Sequence, residues 1–323
     1  MSAIIETNNL RKTFSSGPTA VEAVKGIDLV VNQGEIFGFL GPNGAGKTTT
    51  MRMLTTLLRP TSGTAIIAGY DLMTQEEKVR MHIGYVSQSG GLERGASARE
   101  NLELQARIFQ FNKQDAQVRA DELIKAFGIE SFADRDVETY SGGQRRKADI
   151  ACGMVHRPKL LFLDEPTVGL DPQSRIQVWE QMKKLRSQGT TIFFTTHYLD
   201  EADLLCDRVA IVDQGKIVAL DTPHALKAQI GNDVIVIGMS AQDLERLMPQ
   251  ELFAHLSGIR EIIKEKDTVR FLVNNGEELL LQILRACDKA GIVLTTVNLH
   301  RPTLDDVFLQ KAGHSFKQNQ GAP

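Results

Sequence analysis

The sequence predicts an α/β protein followed by a smaller α+β domain. Three observations carry that prediction. Gly41-Pro42-Asn43-Gly44-Ala45-Gly46-Lys47-Thr48-Thr49 fits the phosphate-binding pattern G-x-x-x-x-G-K-[ST] in full. Between residues 159 and 220, apolar strands alternate with helical stretches, the pattern of a parallel sheet. From residue 231 the order becomes β-α-β-β-α-β, that of a ferredoxin-like sandwich.

Residues 4 to 85 read as short strands and turns, apart from one helix. Asn32-Gln33-Gly34 turns the chain into the apolar run 36–40, a buried strand. The glycine loop follows, then a helix over residues 49–58, which is the context the motif requires. Its glycines let backbone N–H groups close around phosphate oxygens, and the helix start adds its positive end. Lys47 supplies a full charge for β- and γ-phosphates, and the Thr48 hydroxyl suits Mg²⁺. Ser62-Gly63 leads into a strand over 64–68, and Gln88 ends the strand that begins at Ile83. Ser97-Ala98-Arg99-Glu100 is a capping box that starts a helix with Leu102, Ala106 and Phe109 on one face. Residues 89–155 form a mostly helical subdomain. Within it, Tyr140-Ser141-Gly142-Gly143-Gln144-Arg145 caps a helix running toward Met154. The strand 160–163 ends in the carboxylates Asp164 and Glu165, with Gly169-Leu170-Asp171 close behind, and the strand 192–196 ends in His197.

The domain over 231–312 reads as a strand (234–239), a helix from Ser240 to Leu252, two strands (259–264, 268–273), an amphipathic helix (277–290) and a last strand (292–299). Leu280, Ile283, Leu284 and Cys287 align on the amphipathic helix. Thr303 caps a final helix that has Leu304, Val307 and Phe308 on one face. Residues 313–323 read as a flexible polar tail.

The 323 residues are 42% hydrophobic and 24% charged, enough for two domains. The net charge of -3 gives no basic bias, so no nucleic acid is expected as a partner. Three scattered cysteines lack metal-ligand spacing and read as packing residues in a reducing cytosol. No signal peptide is visible, and no apolar run approaches the roughly 18 residues of a membrane span. The expected location is therefore the cytoplasmic face of a membrane, through a partner.

Together, the phosphate loop, Gln88, the Ser141-Gly142-Gly143-Gln144 element, Asp164-Glu165, Asp171 and His197 resemble the nucleotide-binding subunits of ABC transporters over residues 4–230. The resemblance implies a P-loop ATPase core with an antiparallel β subdomain and a helical signature subdomain. It also implies ATP and Mg²⁺ as cofactors. Asp164 then holds Mg²⁺ directly or through water, Glu165 polarises the attacking water, His197 reaches the γ-phosphate, and Gln88 touches the Mg²⁺ shell and the water. Two ATP molecules lie between two head-to-tail copies, with Ser141, Gly142, Gly143 and Gln144 facing the partner's nucleotide and Asp171 at the seam. Phe14 matches the aromatic that stacks on adenine, where the family often has Tyr. Tyr140 stands where many relatives carry Leu, and Val168-Gly169-Leu170-Asp171 replaces the commoner Ser-Ala-Leu-Asp. Tyr140 to Lys147, Thr167 to Pro172 and Arg301 to Leu309 look like the drug-resistance, daunorubicin-type exporter branch.

That branch implies efflux of a drug, lipid or glycolipid through a separate integral-membrane permease, with a regulatory or dimerising C-terminal domain. The alternatives are an importer ATPase or a soluble non-transport ATPase. The permease is expected to dock near Gln88 and the segment from Gly90 to Asn101.

Overall fold

The computed structural model describes residues 2–16, 19–230, 233–240, 252–253, 255–264 and 268–312. Two compact units divide the chain, Met1–Pro223 with Lys311–Pro323, and His224–Gln310.

The first unit opens with two long strands, β1 (Ala3–Ser16) and β2 (Thr19–Asn32). Next come β3 (Ile36–Leu40), α1 (Lys47–Leu54), β4 (Ser62–Ile67), β5 (Tyr70–Asp71), α2 (Glu76–His82) and β6 (Ile83–Val86). A helical stretch follows, with α3 (Ala98–Ile108), α4 (Lys113–Phe127) and α5 (Gly142–Gly153). The chain then alternates β7 (Leu160–Asp164), α6 (Pro172–Ser187), β8 (Thr191–Thr196), α7 (Leu199–Leu205) and β9 (Arg208–Asp213), and closes with β10 (Lys216–Asp221).

The strands β2-β1-β4-β5 form an antiparallel sheet. The order of the second sheet is β10-β9-β3-β8-β7-β6. All its pairings are parallel except β9–β10. Its central strands β3, β7 and β8 are buried at every position because both faces are covered. Ile36, Leu161, Leu163, Ile192 and Phe194 pack toward a core shared with α3 to α6. The alternate residues Phe37, Phe39, Phe162 and Phe193 enter a core shared with the antiparallel sheet and α1. Phe193 lies at its centre, 5.3 to 5.6 Å from the rings of Phe37, Phe39 and Phe162.

Three expectations for this unit need correction. The opening strands are long rather than short, because bulges and the left-handed Asn9 (φ 47°) keep β1 and β2 paired through irregular register. The helix after the phosphate loop ends at Leu54 rather than 58, where Thr56 turns to φ 65°. α2, unforeseen, buries only Val79.

The second unit takes in α8 (Pro223–Ile230) from His224 onward. It also holds β11 (Asp233–Met239), β12 (Ile259–Lys264), β13 (Thr268–Val273), α9 (Gly276–Lys289), β14 (Leu294–His300) and the start of α10 (Leu304–Ala312). The sheet order β12-β13-β11-β14 is antiparallel throughout, as the ferredoxin-like order of elements requires. Ile235, Ile237, Val269 and Phe271 pack with Leu279 and Ile283 of α9. Most of the helix expected from Ser240, and the tail, lie outside the described residues.

Candidate functional site

Four parallel strands end on one side of the sheet, and each end presents a predicted residue. β3 leads into Gly41, β6 into Ser87 and Gln88, β7 into Glu165, and β8 into His197. Loops at the carboxyl ends of parallel strands are where an open α/β sheet binds ligands. A cavity of 660 Å³ opens there, lined by Asn43, Gly44, Gly46, Lys47, Thr48, Thr49, Gln88, Glu165 and His197, together with Ala23 and Val168. Ala23 had not been singled out in the sequence, and Val168 only as part of the departure Val168-Gly169-Leu170-Asp171.

Gly46 caps α1 at φ 101°, and a Cβ there would lie 2.6 Å from the Ala23 carbonyl oxygen. Both the dihedral and the approach require glycine. Lys47 Nζ donates to the carbonyls of Gly41 at 2.7 Å and Pro42 at 3.1 Å. Ala45 is buried beneath the loop. Thr48 opens onto the cavity with Thr49.

Glu165 is where the charges meet. Lys47 Nζ lies 3.6 Å from Oε1, while His197 Nδ1 and Gln88 Nε2 lie 3.1 and 3.5 Å from Oε2. Burial pushes the Glu165 carboxyl up. The hydrogen bond from His197 and the charge of Lys47 outweigh it and hold the carboxyl below its ordinary value. Burial lowers the Lys47 amine, against the opposing pull of Glu165 and Asp164. Asp164 sits behind, 3% exposed, accepting a hydrogen bond from Thr195 Oγ1 at 2.6 Å. The same hydroxyl accepts the Glu165 N–H at 3.0 Å, so one threonine fixes both acids. Thr195 was missed in the sequence, although its pairing opposite Asp164 across β7 and β8 marks it once the register is known.

The remaining predicted residues lie elsewhere. Ser141 Oγ caps α5 by accepting the Gln144 N–H at 3.3 Å, and Gln144 Oε1 accepts the Ser141 N–H at 3.0 Å. Gly142 and Gly143 form the first turn of that helix. A Cβ on Gly143 would lie 2.4 Å from Ser174 Oγ. Asp171 caps α6, accepting the Ser174 N–H at 2.9 Å and its hydroxyl at 2.6 Å. Neither helix start lines the 660 Å³ cavity, nor does Phe14, which lies on β1 41% exposed with Lys12 Nζ 5.3 Å from its ring.

A second cavity, of 390 Å³, is lined by Ser87, Gly90, Gly91, Phe109, Cys152 and His156 among others. It includes the start of the expected docking segment. Ser97, Ala98 and Asn101, at the end of that segment, are buried and hold α3 in place.

The sequence model described as "ABC transporter" matches residues 24–168. One described as the C-terminal domain of "ATP-binding protein DrrA1-3-like" matches residues 222–312. The "Daunorubicin resistance ATP-binding protein DrrA2" of Streptomyces coeruleorubidus is 41% identical over 300 residues, covering 92% of each chain. The chain belongs to the ABC transporter ATP-binding family. The "Nod factor export ATP-binding protein I" of Cupriavidus metallidurans is 38% identical, covering 98% of this chain and all of its own length. A solved dimeric ATP-binding cassette in a post-hydrolysis state, bound to ADP and Pi, superposes with a TM-score of 0.62 at 28% identity. It covers 68% of this chain and 98% of that one. As an ABC protein of this branch, the chain binds nucleotide and couples ATP hydrolysis to transport. Among the described residues, no helix is long and apolar enough to cross a membrane.

Proposed function

We propose that the chain is the ATPase subunit of an ABC exporter, working as a homodimer on the cytoplasmic face of a membrane and powering a separate integral-membrane permease. The observation that carries this reading is the convergence of Lys47, Gln88 and His197 on the Glu165 carboxylate at the wall of a phosphate-loop cavity. Phosphoryl transfer asks for positioning and charge neutralisation more than covalent chemistry. Lys47 and the loop N–H groups hold the β- and γ-phosphates. Glu165, ionised at neutral pH, accepts a proton from the attacking water. Gln88 and His197 orient that water and the γ-phosphate.

Among the described residues, no group of three or more His, Cys, Asp or Glu side chains forms a metal cage. A hard cation that shares its shell with phosphates needs only one or two protein ligands. Thr48 and Gln88 on the cavity wall and Asp164 behind it are oxygen donors that fit Mg²⁺. When bound, Mg²⁺ neutralises the charge shared by the phosphates.

Ser141, Gly142, Gly143 and Gln144 are assigned to the ATP of the second copy, and Asp171 to the seam between copies. Their absence from their own chain's cavity wall supports this, as does the dimeric form of the similar cassette. Phe14 stacks on adenine in this reading, with its ring open to solvent. The names of the relatives support export, and the cargo is a drug, lipid or glycolipid. The cavity beside Ser87 and Gly90 receives the permease.

A mixed dimer of a Lys47→Ala chain with a Ser141→Arg chain tests the shared sites. One site then carries both defects and the other none. Turnover above that of either variant alone is expected. No recovery, together with normal turnover and ATP-dependent dimerisation of Ser141→Arg by itself, contradicts the sandwich.

A further inference from the structure

Arg146 projects from α5 and is only 6% exposed. Its guanidinium donates to three backbone carbonyls in two separate loops. Nε reaches Pro166 O at 2.8 Å, Nη2 reaches Asp164 O at 3.0 Å, and Nη1 reaches Ser87 O at 2.8 Å. The first two carbonyls bracket Glu165, whose own backbone is left-handed at φ 43°. The third belongs to the residue before Gln88, and Gln88 Nε2 lies 3.5 Å from the Glu165 carboxylate. Asp149, one turn further along α5, accepts the N–H of Gly91 at 2.9 Å and also the N–H of Leu92. One face of α5 thus grips both loops that carry residues of the candidate site.

A buried guanidinium is costly to desolvate unless its donors are satisfied. Its rigid planar fork meets three fixed carbonyls at once, which a single ammonium on a flexible stem does not match. A non-glycine residue keeps a left-handed backbone only where its surroundings over-determine it. The two hydrogen bonds on either side of Glu165 do that, with the Thr195 hydroxyl on its N–H.

We propose that Arg146 is a positioning residue for ATP hydrolysis. By clamping the carbonyls of Asp164, Pro166 and Ser87, it holds Glu165 and Gln88 at the cavity. It also ties both to the helix that begins at Ser141. A displacement of α5 when Ser141 and Gly143 engage the second copy's ATP then reaches Glu165 of the same chain, so the clamp links the two sites. The inference rests on Glu165 as the base.

The test uses the full-length protein with Arg146→Lys and Arg146→Gln. The expected result is a fall in kcat of about 10- to 100-fold, the scale of a small misplacement of a reacting group, with ATP affinity within about twofold of wild type. Arg146→Lys combined with Glu165→Gln should lower residual turnover no further than Glu165→Gln alone, because both changes act through one carboxylate. That double variant should still accumulate an ATP-bound dimer. Wild-type kcat in both Arg146 variants overturns the inference. So does a parallel loss of ATP affinity, kcat and thermal stability in both, which marks a residue that only holds the fold. If Glu165→Gln itself turns over at the wild-type rate, the assignment of the base falls. Wild-type turnover of the Arg146 variants beside an inactive Glu165→Gln overturns only the clamp.

Discussion

Glu165 gathers Lys47, Gln88 and His197 around one carboxylate at the cavity wall. Its left-handed backbone costs on the order of 1–3 kcal/mol, strain that the fold carries at the candidate site. Its carboxyl is held below the ordinary value of 4.5 chiefly by His197 and Lys47, against the opposing effect of burial. The sign follows from linkage. A carboxyl with a lowered folded value contributes stability that is present above its unfolded value and is lost as pH falls through the folded one. The Tm advantage of wild type over Glu165→Gln, whatever its size at neutral pH, should therefore shrink below pH 4.5. Thermal unfolding of both proteins across the acid range measures it, and a pH-independent difference refutes the ion-pairing account. At this scale Lys47, Gln88, Glu165 and His197 were legible because each follows an apolar strand at a fixed place in the motif order. Thr195 and Arg146 were not. They act on backbone atoms of distant segments, and only strand pairing and helix packing bring those atoms within reach.

Between elements, α5 and α6 approach closely at the helix starts assigned to the second copy's ATP. Gly143 lets the start of α5 pack against Ser174, whose hydroxyl donates to the α6 cap Asp171. Gly143→Ala should cost about 1–3 kcal/mol by overpacking and lower turnover with it. Ser174→Gly in the same chain should restore part of the loss, since it removes both the Oγ and the Cβ that the new methyl would meet. A double-mutant cycle on stability measures this, and strict additivity would show that the two helix starts are not coupled. The caps at Ser97 and Ser141 were readable because a capping box is local, four residues long and written in side chains. α2 was not, since Val79 is its sole buried residue and no apolar face repeats. The length of β1 and β2 was hidden for a related reason. Bulges break the period-two alternation from which strands are read, although the chain stays paired.

For the whole molecule, the division of labour follows the two compact units. The first carries the phosphate loop, both cavities described beside it, and the α5 and α6 helix starts assigned to the second copy's ATP. The second has its own sheet and core; its four strands and the helix α9 follow the predicted order, read from the apolar run of β11, the alternation of β13 and the apolar stripe of α9. The central claim is that Glu165 drives ATP hydrolysis within a dimer that closes on two nucleotides. The most direct measurement pairs ATP turnover with size analysis of Glu165→Gln in ATP and Mg²⁺, with Lys47→Ala as the non-binding control. The account predicts that Glu165→Gln binds ATP, accumulates as a stable dimer and releases almost no phosphate, while Lys47→Ala stays without nucleotide. Phosphate release by Glu165→Gln at the wild-type rate, with no ATP-dependent dimer, would contradict it.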